Sequence, residues 1–205
     1  MVEPSEVADA IREEREAPGA RVEEKFRRFT AVYLGIVAAL LAITMLGGSH
    51  ATKVMLNANI QASDIYGYYQ AKYMRQTAYR LFADQLEAQL AAQPDLPEAA
   101  KAKTVAAIKR WREQAARYES DPASGTGKQE LLAQAKAWEA KRNHATAQDP
   151  NFEFAEALYQ IAIVLGSVAI VAASRALVNF SGTLAILATL LMINGYFLIV
   201  QLPLE

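Results

Sequence analysis

The chain has 205 residues, 53% hydrophobic and 21% charged, with a formal net charge of −1 and no cysteine. A near-zero net charge with interleaved signs argues against a nucleic-acid footprint, and the missing thiols exclude disulfides, thiolate metal sites and cysteine nucleophiles. The composition resembles that of a soluble domain only on average, because apolar and charged residues are segregated into separate blocks.

Residues 1–29 are polar and strongly charged. Val7 and Ile11 give Glu3–Glu16 a helical spacing, with Pro4-Ser5 as a start and Pro18-Gly19 as a stop. The segment reads as a solvated cytoplasmic tail, with a partner-docking helix as the alternative. Residues 30–48 carry no charge, and neither do Ala157–Ser174 nor Ala176–Pro203. Apolar runs of about 18–25 residues match a hydrocarbon core of about 30 Å at about 1.5 Å per helical residue. The fold class expected is therefore an all-α integral membrane protein in the lipid bilayer. Its first span, 30–48, follows Lys25, Arg27 and Arg28, which predicts a cytoplasmic N-terminus. Ser49-His50-Ala51 resembles a cleavage site, but the leader is long and acidic and the apolar run exceeds a typical signal-peptide core. An uncleaved anchor is expected.

Residues 49–153 carry 14 Lys/Arg and 12 Asp/Glu and are rich in good helix formers. They read as an extracytoplasmic helical domain of hairpin or coiled-coil type, built from helices near Thr52–Ala92, Pro97–Ser120 and Lys128–Gln148. The first of these could extend the first span outward, with Gly47-Gly48 as a possible kink. Its apolar stripe is read at Met74, Ala78, Leu81, Phe82, Leu86 and Leu90, and that of the second at Val105, Ile108, Trp111, Ala115 and Tyr118. The third carries Leu131, Leu132, Ala135 and Trp138. Asp149-Pro150 then reads as an N-cap and first-turn proline that start a new helix. Spans at 155–174 and 178–202 follow, joined by a connection whose one base, Arg175, assigns it to the cytoplasm and the C-terminus to the outside. The compartment expected is the inner membrane of a bacterium.

The most unusual stretch runs from Asn57 to Arg75. On a helix Asn57, Gln61, Asp64, Tyr68, Lys72 and Arg75 share one face, while Tyr66, Tyr69 and Tyr73 lie on another. This face predicts a polar seam in which Asp64 pairs with Lys72 or Arg75 and fixes helix register, as a polar heptad position does. The alternatives are an ion or ligand path at the membrane mouth, or an acid–base set of Asp64, Tyr68 and Lys72, which lacks an accompanying nucleophile, metal cluster or phosphate loop.

Asn59, Ala62-Ser63-Asp64, Tyr68-Tyr69-Gln70-Ala71-Lys72 and Arg75, soon after a first span, resemble the signature of a bacterial domain-of-unknown-function family, number 4337. The resemblance covers most of the chain from about residue 25. It implies one N-terminal span, a helical loop domain and two C-terminal spans, and it implies no activity. Family members often have an aromatic residue, commonly Trp, where this chain has Tyr66.

Other motifs are weaker. Gly125-Thr126-Gly127-Lys128 lacks the upstream glycine and the strand of a phosphate loop, and His50 and His144 lack the company of further ligands. No cofactor or metal is expected. The spans hold no internal charge, which argues against a proton-coupled carrier. Gly35 with Ala39, Ala162 with Gly166, and Ala169 with Ala173 permit close helix contact, and Asn194-Gly195 is either a contact or a pore-lining position. The function expected is that of a non-enzymatic homo-oligomer, or an accessory or scaffolding subunit of a larger membrane complex. The alternative is a pore-forming oligomer with Asn57–Asp64 at its mouth. Interaction candidates are Asn57, Asn59, Gln61, Ser63, Asp64, Tyr68, Tyr69, Gln70, Lys72 and Arg75.

Overall fold

The computed structural model describes residues 18–201. The tail helix expected at Glu3–Glu16 lies outside the described residues. The described chain is helical throughout, without strands, in the order α1 (Pro18–Ala92), α2 (Glu98–Glu119), α3 (Lys128–Val171) and α4 (Arg175–Phe197). Helices α1, α3 and α4 are long and apolar enough to cross a membrane. Two compact units emerge, one from the described residues up to Lys53 together with those from Ala145 onward, the other from Val54–His144.

Pro18 opens α1, where its missing N–H costs nothing and its fixed φ suits the first turn. The helix then runs 75 residues without a break, straight through Gly47-Gly48. Those glycines serve packing. A Cβ on Gly47 would come within 2.6 Å of the Phe152 ring and 2.8 Å of the Tyr196 hydroxyl. A Cβ on Gly195 would come within 2.9 Å of the same ring, so three glycines leave the volume that Phe152 fills.

In the first unit Val37 of α1 packs with Ala155, Tyr159 and Ala162 of α3 and Ala185 and Ala188 of α4. Small residues bring the backbones close, as bundles in lipid require when hydrophobicity alone supplies no drive. Buried hydroxyls find partners: Tyr33 and Ser181 lie 2.9 Å apart, Ser181 donates to the Ala162 carbonyl at 2.6 Å, and Tyr159 meets Thr189 at 2.8 Å. Of the small pairs, Gly166 sits against Leu34 and Ser181, but nothing lies within 4 Å of Gly35. The Gly35 face is open within the chain.

The new helix expected at Asp149-Pro150 does not form, because α3 continues through Pro150. Proline supplies no N–H to the Thr146 carbonyl one turn back, and the helix continues without that bond. Buried Asn151 donates to the Ala147 carbonyl at 3.1 Å and accepts from Asn194 at 2.7 Å. The last helix ends at Phe197, short of the expected residue 202. Leu198 turns into the left-handed region (φ 45°), and its N–H closes on the Asn194 carbonyl at 2.7 Å. The Asn194 side chain also holds both the N–H and the carbonyl of Val200 at 2.8 Å. It is a contact and a helix stop, not a free polar group facing a pore.

Ala173, after α3, also takes a left-handed conformation (φ 48°), a place usually given to glycine. Ala173→Gly should therefore stabilise the first unit by roughly 0.5–1 kcal/mol, the relief of left-handed strain exceeding glycine's entropic cost. A higher midpoint in detergent-titrated unfolding checks this.

The second unit packs α1, α2 and the start of α3 along heptad-spaced seams. In α1 the inward positions alternate at four and three residues: Ala58, Ala62, Ile65, Tyr69, Lys72, Gln76, Tyr79, Ala83, Leu86 and Leu90, every one buried or half-buried. That period keeps one face inward over many turns. Thr104, Ile108, Trp111, Ala115 and Tyr118 do the same in α2, and Lys128, Leu131, Ala135 and Trp138 in α3. The stripes read from the sequence are thus partly misplaced. Met74, Leu81 and Phe82 are exposed on α1, and Val105 is exposed on α2, where Thr104 faces inward instead. Tyr79 stacks on Tyr118 at 5.7 Å between centroids, and Phe82 leans on Trp111 at 5.5 Å.

Candidate functional site

The polar centre of the second unit lies where α1, the end of α2 and the start of α3 meet. Lys72 and Gln76 occupy successive seam positions of α1 and so point inward despite their polarity. The Gln76 amide is 1% exposed and donates to the Ala115 carbonyl at 3.0 Å and to Glu119 Oε2 at 2.7 Å. Lys128, the first residue of α3, is buried, with its ammonium 3.1 Å from the same Glu119 oxygen. The Lys128 Nζ also lies 5.0 Å from the Tyr73 ring centroid and 5.8 Å from that of Tyr69. Lys72 reaches the Thr126 hydroxyl at 3.2 Å and stands over the rings of Tyr118 and Tyr68 at 5.2 and 5.4 Å. Both cations therefore sit on aromatic faces, which favour charge when water is excluded.

The loop between α2 and α3 holds this centre closed. Glu130, in the first turn of α3, accepts from the Ser120 hydroxyl at 2.7 Å and from the Asp121 N–H at 3.2 Å. A Cβ on Gly127 would strike the Glu130 carboxylate and the backbone of Asp121, and would lie 2.7 Å from Ser120 Cα, so only glycine lets the loop pass. Gly125 takes φ +67°, and its carbonyl accepts from Gln134 at 3.0 Å. The Gly-Thr-Gly-Lys run is thus a steric device that starts a helix, and its lysine is turned to a carboxylate of its own chain.

Hydrogen bonds from Gln76 and Lys128 hold the Glu119 carboxyl below the usual glutamate range. Ser124 does the same for Asp121, and Ser120 for Glu130. A carboxyl depressed in the folded state contributes stability above its unfolded pKa and loses it as pH falls through the folded value. The second unit should hold its packing from neutral pH down to about pH 4 and loosen below it. Both tryptophans of the chain, Trp111 and Trp138, lie in this unit, so their fluorescence reports it alone. A transition near neutral pH would contradict the assignment.

The residues singled out from the sequence divide between two sides of α1. Tyr69 and Lys72 belong to the centre, Gln61 is half-buried, and Tyr68 is exposed with its ring beneath Lys72. Asn57, Asn59, Ser63, Asp64, Gln70 and Arg75 are exposed. The expected pairing of Asp64 with Lys72 or Arg75 is not present: among the described residues no ion pair includes Asp64. Eight residues separate Asp64 from Lys72, a rise of about 12 Å along a helix, beyond the reach of their side chains. Gln76, Glu119, Gly127 and Lys128 are absent from that reading. Of these only Gln76 is marked in the sequence, by the unbroken four-three spacing from Ala58 to Leu90 that places it and Lys72 in the seam; Glu119, Gly127 and Lys128 carry no such signal. Among the described residues, no group of three His, Cys, Asp or Glu side chains is placed to hold a metal ion.

The sequence profile of a family described as a domain of unknown function, DUF4337, matches residues 26–198, which takes in all three apolar helices and the whole of the second unit. The chain belongs to the DUF4337 family. For this DUF4337 member no curated protein and no solved structure matches. The match also spans the Ser-Asp…Tyr-Tyr-Gln-Ala-Lys…Arg stretch on which the resemblance was recognised.

Proposed function

We propose that this protein is a non-enzymatic subunit of the bacterial inner membrane whose extracytoplasmic helical domain, the second unit, joins it to other chains. In this reading the N-terminus is cytoplasmic, supported by Lys25, Arg27 and Arg28 before the first span, and with three crossings the C-terminus is outside. One observation carries the reading: the polar centre at Gln76, Glu119 and Lys128 is closed within the domain, while large apolar side chains of α1 are left outside. Met74 is 71% exposed and Leu81 62%. Exposed apolar side chains grouped on one helix of a unit surrounded by water mark an interaction surface.

Native mass measurement from membranes in a mild detergent tests this. An assembly larger than one chain is expected, and a lone chain of 22.4 kDa overturns the reading. Orientation is tested separately with Lys109→Cys in this cysteine-free chain. It should react with an impermeant maleimide from outside intact spheroplasts, and labelling only after lysis would reverse the topology.

A further inference from the structure

The outward side of α1 carries a second heptad-spaced stripe, opposite the inward seam. In the second unit it runs through Leu56, Ile60, Ser63, Gly67, Gln70, Met74, Thr77 and Leu81 at alternating steps of four and three, all exposed, and four of these eight are large and apolar. Nothing lies within 4 Å of Gly67. The stripe spans 26 residues of α1, nearly four heptads. Outward positions of a helix bound on one side only are normally polar. Lipid does not explain this part of the helix: Met74 and Leu81 lie beside Arg75, Arg80 and Asp84, in the charged block between the apolar runs.

We infer that this stripe is a parallel, in-register seam between the α1 helices of two copies of the chain. The inference rests on the subunit reading above and names the partner. A second copy is the occupant that the geometry favours, because a stripe of this length needs an equally long helix with the same period. Membrane insertion in one sense makes the two helices parallel, and a two-fold axis makes the seam meet itself. The charges agree. Along 52–78 the positions flanking the stripe carry one formal charge, Asp64. In the parallel register it faces Asn59 of the second copy, an amide donor beside a carboxylate, so no like charges oppose across the flanks. Lys53, one step before Leu56 in the same phase, meets its own copy, a polar seam position that lowers stability and specifies register. Asn59, Ser63, Asp64 and Gln70 thereby gain a shared place, in or beside one interface.

The absence of cysteine makes the test direct. Ser63→Cys, Gln70→Cys and Met74→Cys, each oxidised in native membranes, should give a disulfide-linked band at twice the chain mass. Arg75→Cys and Lys109→Cys, exposed but off the stripe, should not. Equal crosslinking at the off-stripe positions, or none on the stripe, overturns the inference. If native mass still exceeds one chain in that case, the subunit reading stands and another surface carries it; a single-chain mass overturns both. Met74→Glu with Leu81→Glu should shift the native mass from two chains to one while leaving tryptophan fluorescence unchanged. A retained two-chain mass in that variant also overturns the seam.

Discussion

Phe152→Ala is expected to cost the first unit roughly 3–5 kcal/mol, the range for emptying a buried aromatic site. The side chain is 3% exposed, and its ring meets Tyr196 edge-on at 5.0 Å between centroids. Tyr196 in turn donates to the Ile43 carbonyl at 3.1 Å, so the ring supports a contact joining α1, α3 and α4. The backbones around it belong to Gly47, Gly48 and Gly195, which have no side chain to move into the void. Cavities that cannot collapse give the larger penalties. Protection of the Arg175 connection from trypsin, followed as SDS is added to mild-detergent micelles, reads this stability. Gly47→Ala alone should cost about 1–3 kcal/mol through overpacking, and clearly less when Phe152→Ala has removed the ring, leaving only the contact with the Tyr196 hydroxyl. Additive costs would show that the glycines are not there for Phe152.

Glu119→Ala should cost the second unit about 3 kcal/mol, more than loss of its lysine partner does. Removing the carboxylate leaves the Lys128 ammonium buried against two tyrosine rings, an uncompensated charge. The converse change, Lys128→Met, keeps the buried volume and leaves Glu119 with Gln76 and Arg80. Because the Glu119 side chain is 39% exposed, water also solvates it, so Lys128→Met should cost no more than about 1 kcal/mol. The double change Glu119→Leu with Lys128→Met should lie close to the parent, since a hydrophobic replacement of a buried pair is often neutral. Urea titration followed by tryptophan fluorescence measures all three. A larger loss for Lys128→Met than for Glu119→Ala would reverse the account.

From Asn57 to Arg75 two helical periods overlap. The three- and four-residue steps by themselves predict one polar face. The helix instead divides these residues between its two sides, with Lys72 packed inward and Asn57 and Asp64 facing out. The apolar stripe at Met74 and Leu81 was legible as a stripe, yet it is the outer one. Periodicity shows that a helix has faces; it does not say which face meets the rest of the chain. Pro150 shows the same limit: a local rule for helix starts gives way in a helix packed into the first unit, where Asn194 of α4 bonds the Asn151 side chain of α3.

The sequence by itself determined the class: charge-free runs long enough to cross a membrane, a charged helical block between them, and the residues on which the family is recognised. These follow from composition and local spacing, since a backbone in lipid can satisfy itself only as a helix or a closed barrel. Tertiary structure alone decided that Gly47 and Gly195 make room for Phe152, that Gln76, Glu119 and Lys128 meet, and that Gly127 admits the loop which joins them. Those residues are far apart in the chain. What brings them together is volume and desolvation, which act between helices and leave no mark on the local spacing of any one of them.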